Sequence, residues 1–208
     1  GPSANTSGKP SPTSADHVLH DMSGKIAGVL DGGATQTGVE STVLDLSDPS
    51  QPQVILRPGA ITQETLMAVL ETTVEVDGHL VSESETPRAP GMKYKHYAPD
   101  TQVLMVHPQD WEQALQWVTE SGVRAGVIAG PEIAELMRYQ VAAVFMLPQD
   151  TVTQAAKGLF AGLRALDEPQ LALDVILVET FPETGLGVAY MNRLGKSAGK
   201  RWFEAKAD

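Results

Sequence analysis

Val103-Leu104-Met105-Val106, Ala125-Gly126-Val127-Ile128-Ala129, Ala143-Val144-Phe145-Met146-Leu147 and Val175-Ile176-Leu177-Val178 are short apolar runs with no polar alternation. Strands covered on both faces have this composition, and such strands belong to parallel sheets. Between them lie stretches with helical spacing, Trp111 to Thr119, Ile133 to Tyr139 and Val152 to Leu166, and a last helix follows from about Gly187 to Lys200. Strand alternating with helix calls for right-handed crossovers, so residues 101–208 are expected to form a small three-layer α/β unit with a mainly parallel sheet. Trp111, Trp117 and Tyr139 fall at helical spacing and read as core.

Periodicity is lost on the amino-terminal side of this unit. Residues 75–100 contain Ser82-Glu83-Ser84-Glu85 and then Pro87, Pro90 and Pro99, and read as a linker. A linker of that length is usually functional or disordered. Its last part, Pro90-Gly91-Met92-Lys93-Tyr94-Lys95-His96-Tyr97-Ala98-Pro99, crowds cations and tyrosines into an otherwise acidic chain. A plain solvated linker gains nothing from aromatic rings, whereas a lid over an anionic ligand does.

Residues 1–74 read as the end of an α/β domain, too little to close a core alone. Pro2 to Pro12 is a turn-rich loop. A helix capped by Thr13 or Ser14 follows and ends at Gly24. Ile26 to Leu30, Val39 to Leu46 and Val54 to Leu56 read as strands, and Ile61 to Leu70 as a helix capped by Thr62. The chain opens on Gly1-Pro2 without an initiator Met. That start is expected to mark a fragment.

Composition narrows the function classes. With 208 residues, 42% hydrophobic and 20% charged, the chain is expected to fold. A formal charge of −11 disfavours a protein whose main task is gripping nucleic-acid phosphates, since that affinity comes from Lys and Arg. The absence of Cys excludes a disulfide framework, a thiolate zinc site and a cysteine nucleophile, and fits a reducing compartment. No apolar run approaches the ~20 residues of a membrane-spanning helix.

Several residues carry candidate chemistry. The hydroxyl-rich loop Ser3-Ala4-Asn5-Thr6-Ser7-Gly8-Lys9-Pro10-Ser11-Pro12 precedes a helix N-terminus; it either holds an anion or simply makes turns and caps. Ser41, in Gly38-Val39-Glu40-Ser41-Thr42-Val43, either meets a ligand or bonds the neighbouring backbone. Arg57, in Leu56-Arg57-Pro58-Gly59, stands at a strand end, where open α/β sheets place their ligands and where a planar guanidinium suits phosphate. His17 and His20 share a helix but lack further metal ligands nearby, and no Ser-His-Asp arrangement is legible.

Taken in order, Pro2-Ser3-Ala4-Asn5-x-Ser7-Gly8-x-x-Ser11-Pro12, Asp31-Gly32-Gly33, Gly38-x-Glu40-Ser41-Thr42-Val43, Leu56-Arg57-Pro58-Gly59 and Pro90-Gly91-Met92-Lys93-x-Lys95-His96-Tyr97-Ala98-Pro99 resemble the Sua5 branch of the YrdC/Sua5 family. The resemblance continues weakly to Gly187-x-x-x-x-Asn192-Arg193. It implies that residues 1–74 are the C-terminal part of a YrdC-like catalytic domain, 75–100 a linker acting as lid, and 101–208 a Rossmann-like accessory domain.

The implied reaction joins ATP, L-threonine and bicarbonate into threonylcarbamoyl-AMP and pyrophosphate, with Mg2+ accompanying ATP. The product passes to a tRNA-modifying transferase system in the cytoplasm. By motif, Ser3, Ser11, Arg57 and Tyr97 are implied to contact ATP and Ser41 the threonine. Asn5, Lys93, Lys95 and His96 are implied to support the loop and the lid. No enzyme nucleophile is needed, and neither a resident metal site nor a membrane partner is expected. The family's Lys-Arg-Pro motif lies upstream of this loop and is absent, so the isolated chain is expected to be inactive. Two rivals are a carbamoyltransferase of hydrogenase maturation, which carries Cys-rich zinc segments that this chain lacks, and a non-catalytic nucleotide-sensing or interaction module.

Overall fold

A computed structural model describes residues 3–77 and 97–204. Lys93, Lys95 and His96 lie outside the described residues. So does most of the stretch read as a linker.

The carboxy-terminal half contains four parallel strands, β4 (Gln102–Val106), β5 (Ala125–Ala129), β6 (Ala143–Met146) and β7 (Val175–Glu179), in the order β4-β7-β5-β6. All four apolar runs are therefore strands. Side-chain alternation along them divides the core into two layers. Val103, Met105, Ile128, Ile176 and Val178 face α5 (Val152–Leu166) and α6 (Leu186–Ser197), which contribute Leu159, Phe160, Leu163, Tyr190 and Leu194. Val106, Val127, Ala129, Val175 and Leu177 face the other way, toward Trp111 and Val118 of α3 (Trp111–Ser121) and Met137 of α4 (Pro131–Met137).

The strand order explains this division. The chain runs from β4 through α3 to β5 and through α4 to β6, and then reverses across the sheet through α5 to β7. A reversal with right-handed crossovers puts the returning helix on the opposite face. The point of divergence lies between β5 and β7, where doubly wound sheets open a crevice. Here the crevice is closed by protein groups. Glu179 accepts a hydrogen bond from the Gly130 N–H at 2.7 Å, and the Tyr190 hydroxyl donates to the Glu179 carbonyl. Burial pushes the Glu179 carboxyl upward from its ordinary pKa.

The amino-terminal half is smaller. Helix α1 (Ala15–Met22) starts at Ser14, whose hydroxyl accepts from the His17 N–H, and α2 (Gln63–Leu70) starts likewise at Thr62. Strand β1 (Val43–Asp45) pairs antiparallel with β2 (Gln53–Arg57), which pairs in parallel with β3 (Val74–Val76). Its apolar cluster centres on Leu56 with Val43 and Val54. Leu46, Ile61, Met67 and Val69 remain exposed. The half buries little of its own apolar surface.

Several expectations need correction. Ile26 to Leu30 is not a strand; no strand of the described residues lies alongside it, and Leu30 is wholly exposed. Of Val39 to Leu46, only Val43–Asp45 pairs, because Gly38 to Ser41 instead packs near α5 and α6. Strand β3 was not anticipated and carries the sheet to Val76, past the point where periodicity fades. Helix α4 ends at Met137, so Tyr139 leaves the helix and is exposed beneath the Arg138 guanidinium rather than in the core. Tyr97, read as part of a lid over an anionic ligand, is 4% exposed and packs on Phe160 at 5.1 Å between ring centres. The second core starts there.

Candidate functional site

The sequence candidates gather around a residue to which the sequence assigned no role, Glu40. Ser11 is buried and its hydroxyl donates to Glu40 Oε1 at 2.6 Å. Arg193 Nε donates to Glu40 Oε2 at 2.7 Å. Burial and the nearby Glu40 charge push the pKa of the Tyr97 hydroxyl up to about 12. Burial opposes ionisation of Glu40, but the Arg193 charge and the Ser11 and Arg193 hydrogen bonds outweigh it and hold the carboxyl below its usual range. Glu40 is thus a carboxylate at neutral pH. Because the Ser11 proton is committed to it, Ser11 offers a ligand its lone pairs, as an acceptor.

Ser41, the next residue, is tied to Arg57. The guanidinium donates to the Ser41 carbonyl at 3.0 Å from Nε and to the Ser41 hydroxyl at 3.2 Å from Nη2. Arg57 is the last residue of β2, so the strand end aims it at this corner. The structure therefore brings together Ser11, Ser41, Arg57 and Tyr97. Ser3 is exposed at the start of the described chain, and no hydrogen bond of the described residues joins it to this group. Asn5 supports the loop: its amide donates to the carbonyls of Thr6 and Lys9 at 3.0 and 3.2 Å.

The second half grips the loop carrying Ser11. Arg164 of α5 donates twice to the Pro10 carbonyl, at 2.6 and 3.0 Å, and pairs with Asp21 at 2.8 Å. The hydrogen bond from Arg164 holds the Asp21 carboxyl well below the ordinary range. The Ala98 N–H donates to the Gly8 carbonyl, and Lys9 pairs with Asp100 at 2.6 Å. Gly38 has φ +83°, and a Cβ there would overlap the backbone of Ala156 and Lys157 in α5. Only glycine lets the Glu40 segment approach that helix.

Two hollows flank the cluster. One, 380 Å³, lies between Pro58, Val76 and Asp77 on one side and Val188, Met191, Asn192 and Lys196 of α6 on the other. Burial and the neighbouring Arg193 charge bring the Lys196 pKa down to about 8. The other, 530 Å³, is lined by Lys9, His17, Asp21 and Arg164 among others. Neither is lined by Ser41 or Arg57. His17 and His20 are engaged with Thr13 and Asp21. Among the described residues no three His, Asp or Glu side chains are grouped to hold a metal ion, and no helix is long and apolar enough to cross a membrane.

Sequence reasoning missed Glu40, Arg164 and Arg193. A signal existed for the last. Arg193 lies among apolar residues of a helix, Leu194 beside it and Tyr190 one turn before, where a cation stays only if paired.

Fold and cluster together define an α/β protein whose parallel-sheet unit is packed against a smaller half bearing a Ser–Glu–Arg cluster. The family described as "Threonylcarbamoyl-AMP synthase, C-terminal domain" matches residues 61–199, and the YrdC/Sua5 family described as "Telomere recombination" matches residues 1–59. The chain belongs to the Sua5 family of threonylcarbamoyl-AMP synthases.

It is 45% identical to the threonylcarbamoyl-AMP synthase of Bacillus subtilis over 202 residues, covering 96% of this chain and 57% of that protein. It is 44% identical to that of Pyrococcus abyssi over 207 residues, with the same coverage. Among solved structures it is similar to P. abyssi Sua5 complexed with L-threonine, with TM-score 0.83 and 43% identity, covering 97% of this chain and 58% of that one. The chain thus spans somewhat more than half the length of the curated relatives it matches. These relatives favour the synthase family over both rivals.

Proposed function

We propose that this sequence serves an L-threonylcarbamoyladenylate synthase, as the part that carries the Ser11 loop, the Ser41–Arg57 corner and the accessory unit. The placing of Ser11 on Glu40, directly beside the Ser41–Arg57 pair, supports this reading. Threonine amine and bicarbonate give a carbamate with loss of water. A carbamate oxygen then attacks the α-phosphorus of ATP, forming the mixed anhydride while the bond to pyrophosphate breaks. Nothing in this sequence of bonds needs an enzyme nucleophile. The protein's task is to hold two anions in line and offset their charge.

In these terms Ser3, Ser11, Arg57 and Tyr97 serve ATP and Ser41 serves threonine. Asn5 holds the loop, and Lys93, Lys95 and His96 support the closing segment. Tyr97 acts from the wall of the core, because its ring is buried. Glu40 is engaged by Ser11 and Arg193. Mg2+ is taken to enter with the triphosphate as part of the substrate.

The domain reading is a catalytic part over residues 1–74 extended by β3, a linker, and an accessory unit over 101–208 whose core takes in Tyr97. The product goes on to a tRNA-modifying transferase system in the cytoplasm. Pyrophosphate release with ATP, threonine, bicarbonate and Mg2+ tests the reading. Residues 1–208 alone are expected to give none above background, and a protein of the relatives' full length carrying this sequence is expected to turn over. Full-length protein without threonine-dependent pyrophosphate release would refute the proposal.

A further inference from the structure

We infer that Arg193 of α6 is a positioning residue for the nucleotide-binding loop, acting through Glu40 on Ser11. This rests on the proposed function and assigns a role to the Asn192-Arg193 motif, which that function leaves unused. Arg193 is completely buried. Its bonds pass out of its own half: Nε donates to Glu40 Oε2 at 2.7 Å, and Nη2 to the Pro58 carbonyl at 2.8 Å. Nη1 donates to the neighbouring Asn192 side chain at 2.9 Å.

Of these bonds the one to Pro58 seats the turn after β2, and the one to Glu40 leads on to the loop. The other Glu40 oxygen receives the Ser11 hydroxyl at 2.6 Å. The connection from α6 to Ser11 is thus two charge-assisted hydrogen bonds through a single carboxylate, the strongest class in proteins.

Geometry also dictates why Arg is required. A planar fork can reach the carboxylate, the carbonyl and Asn192 at once, which an ammonium cannot do. The Tyr97 ring lies 5.8 Å from the guanidinium carbon and screens it from the side. Gly187, the second residue of the same helix, admits no Cβ because the Pro182 carbonyl fills that space, so the start of α6 is seated without a side chain between. Helix position, guanidinium, carboxylate and hydroxyl form one chain of contacts. It ends at Ser11 rather than at any hollow of the second half.

The test is a comparison of Arg193→Lys, Ser11→Ala and the double variant in the full-length synthase, with the KM for ATP and for threonine measured separately. Positioning predicts that Arg193→Lys raises the ATP KM about tenfold, the effect of roughly one strong hydrogen bond, and leaves the threonine KM within about twofold. The double variant should be no worse than Ser11→Ala alone, because both cut the same chain of contacts. Additive effects, or a loss of thermal stability with both KM values unchanged, would overturn the inference and leave Arg193 as a pin between the two halves. Amide hydrogen exchange of residues 3–13 in the 208-residue chain decides the matter without turnover. Exchange there should quicken about tenfold in Arg193→Lys while β5 and β7 keep their protection. Uniform quickening, or none, would refute positioning. A wild-type synthase that makes no threonylcarbamoyl-AMP would refute the proposed function instead.

Discussion

Tyr97→Ala tests where the accessory core begins. In a lid, the substitution would leave stability untouched. In the structure the ring is 4% exposed, stacks obliquely on Phe160 and lies against the Arg193 guanidinium. Truncating a buried aromatic costs about 3–5 kcal/mol. Tyr97 also has φ +67°, so alanine keeps the left-handed backbone strain and recovers nothing. For a chain of this size each kcal/mol moves Tm by about 2–4 °C, which places the expected fall at about 6–20 °C. Tyr97→Phe keeps the ring and loses only the hydroxyl, and should cost about 1–3 kcal/mol. Thermal unfolding followed by circular dichroism reads both. A Tm within about 2 °C of wild type for Tyr97→Ala would show that the ring is not core, and the reasoning from its burial would fail.

Asp21 is held ionised by Arg164, so its contribution is present above the unfolded carboxyl pKa of about 4 and fades as the pH drops below it. Asp21→Asn should flatten that part of the acid-unfolding curve, and Arg164→Met, which leaves the buried Asp21 carboxylate only its bonds to Thr6 and His20, should cost about 3 kcal/mol at pH 7 in chemical denaturation. Glu179 behaves oppositely: its folded pKa is raised, so the charged form weakens the fold as pH rises. Glu179→Gln, which can still accept from Gly130, should raise Tm at pH 8, with the gain shrinking as acid protonates the wild-type carboxyl. Gly38→Ala must both take up φ +83° and displace α5, and should cost more stability in chemical denaturation than the roughly 1–2 kcal/mol of the left-handed backbone alone.

The parallel unit was legible because its strands are covered on both faces. Ala125–Ala129 and Val152–Leu166 fall where the runs and the spacing put them. The smaller half was less legible. Ile26 to Leu30 has strand composition but no neighbour to pair with, and composition cannot supply one. Val74–Val76 is a strand because β2 lies beside it, a fact that no local pattern carries. At the site, Ser11, Ser41 and Arg57 stood out as polar residues at turns and strand ends. Glu40 and Arg193 did not, because their meaning lies in a contact spanning 153 residues of sequence. Tyr97 is a related case: aromatic residues among prolines and lysines suit a lid, and only the position of Phe160 shows that the ring packs on the second core.

The junction between the two halves is built largely from directional bonds: Arg164 to Pro10 and Asp21, Arg193 to Glu40 and Pro58, Lys9 to Asp100. Such a seam behaves like a keyed coupling rather than a greased face. An accessory unit transplanted from another Sua5 protein would not be accepted on apolar shape alone. The graft would have to bring both guanidiniums in register with the recipient's carboxylates, and a mismatch at either would leave a buried charge on each side of the seam. Chimeras should therefore divide sharply into those that assemble and those that do not, with few intermediates.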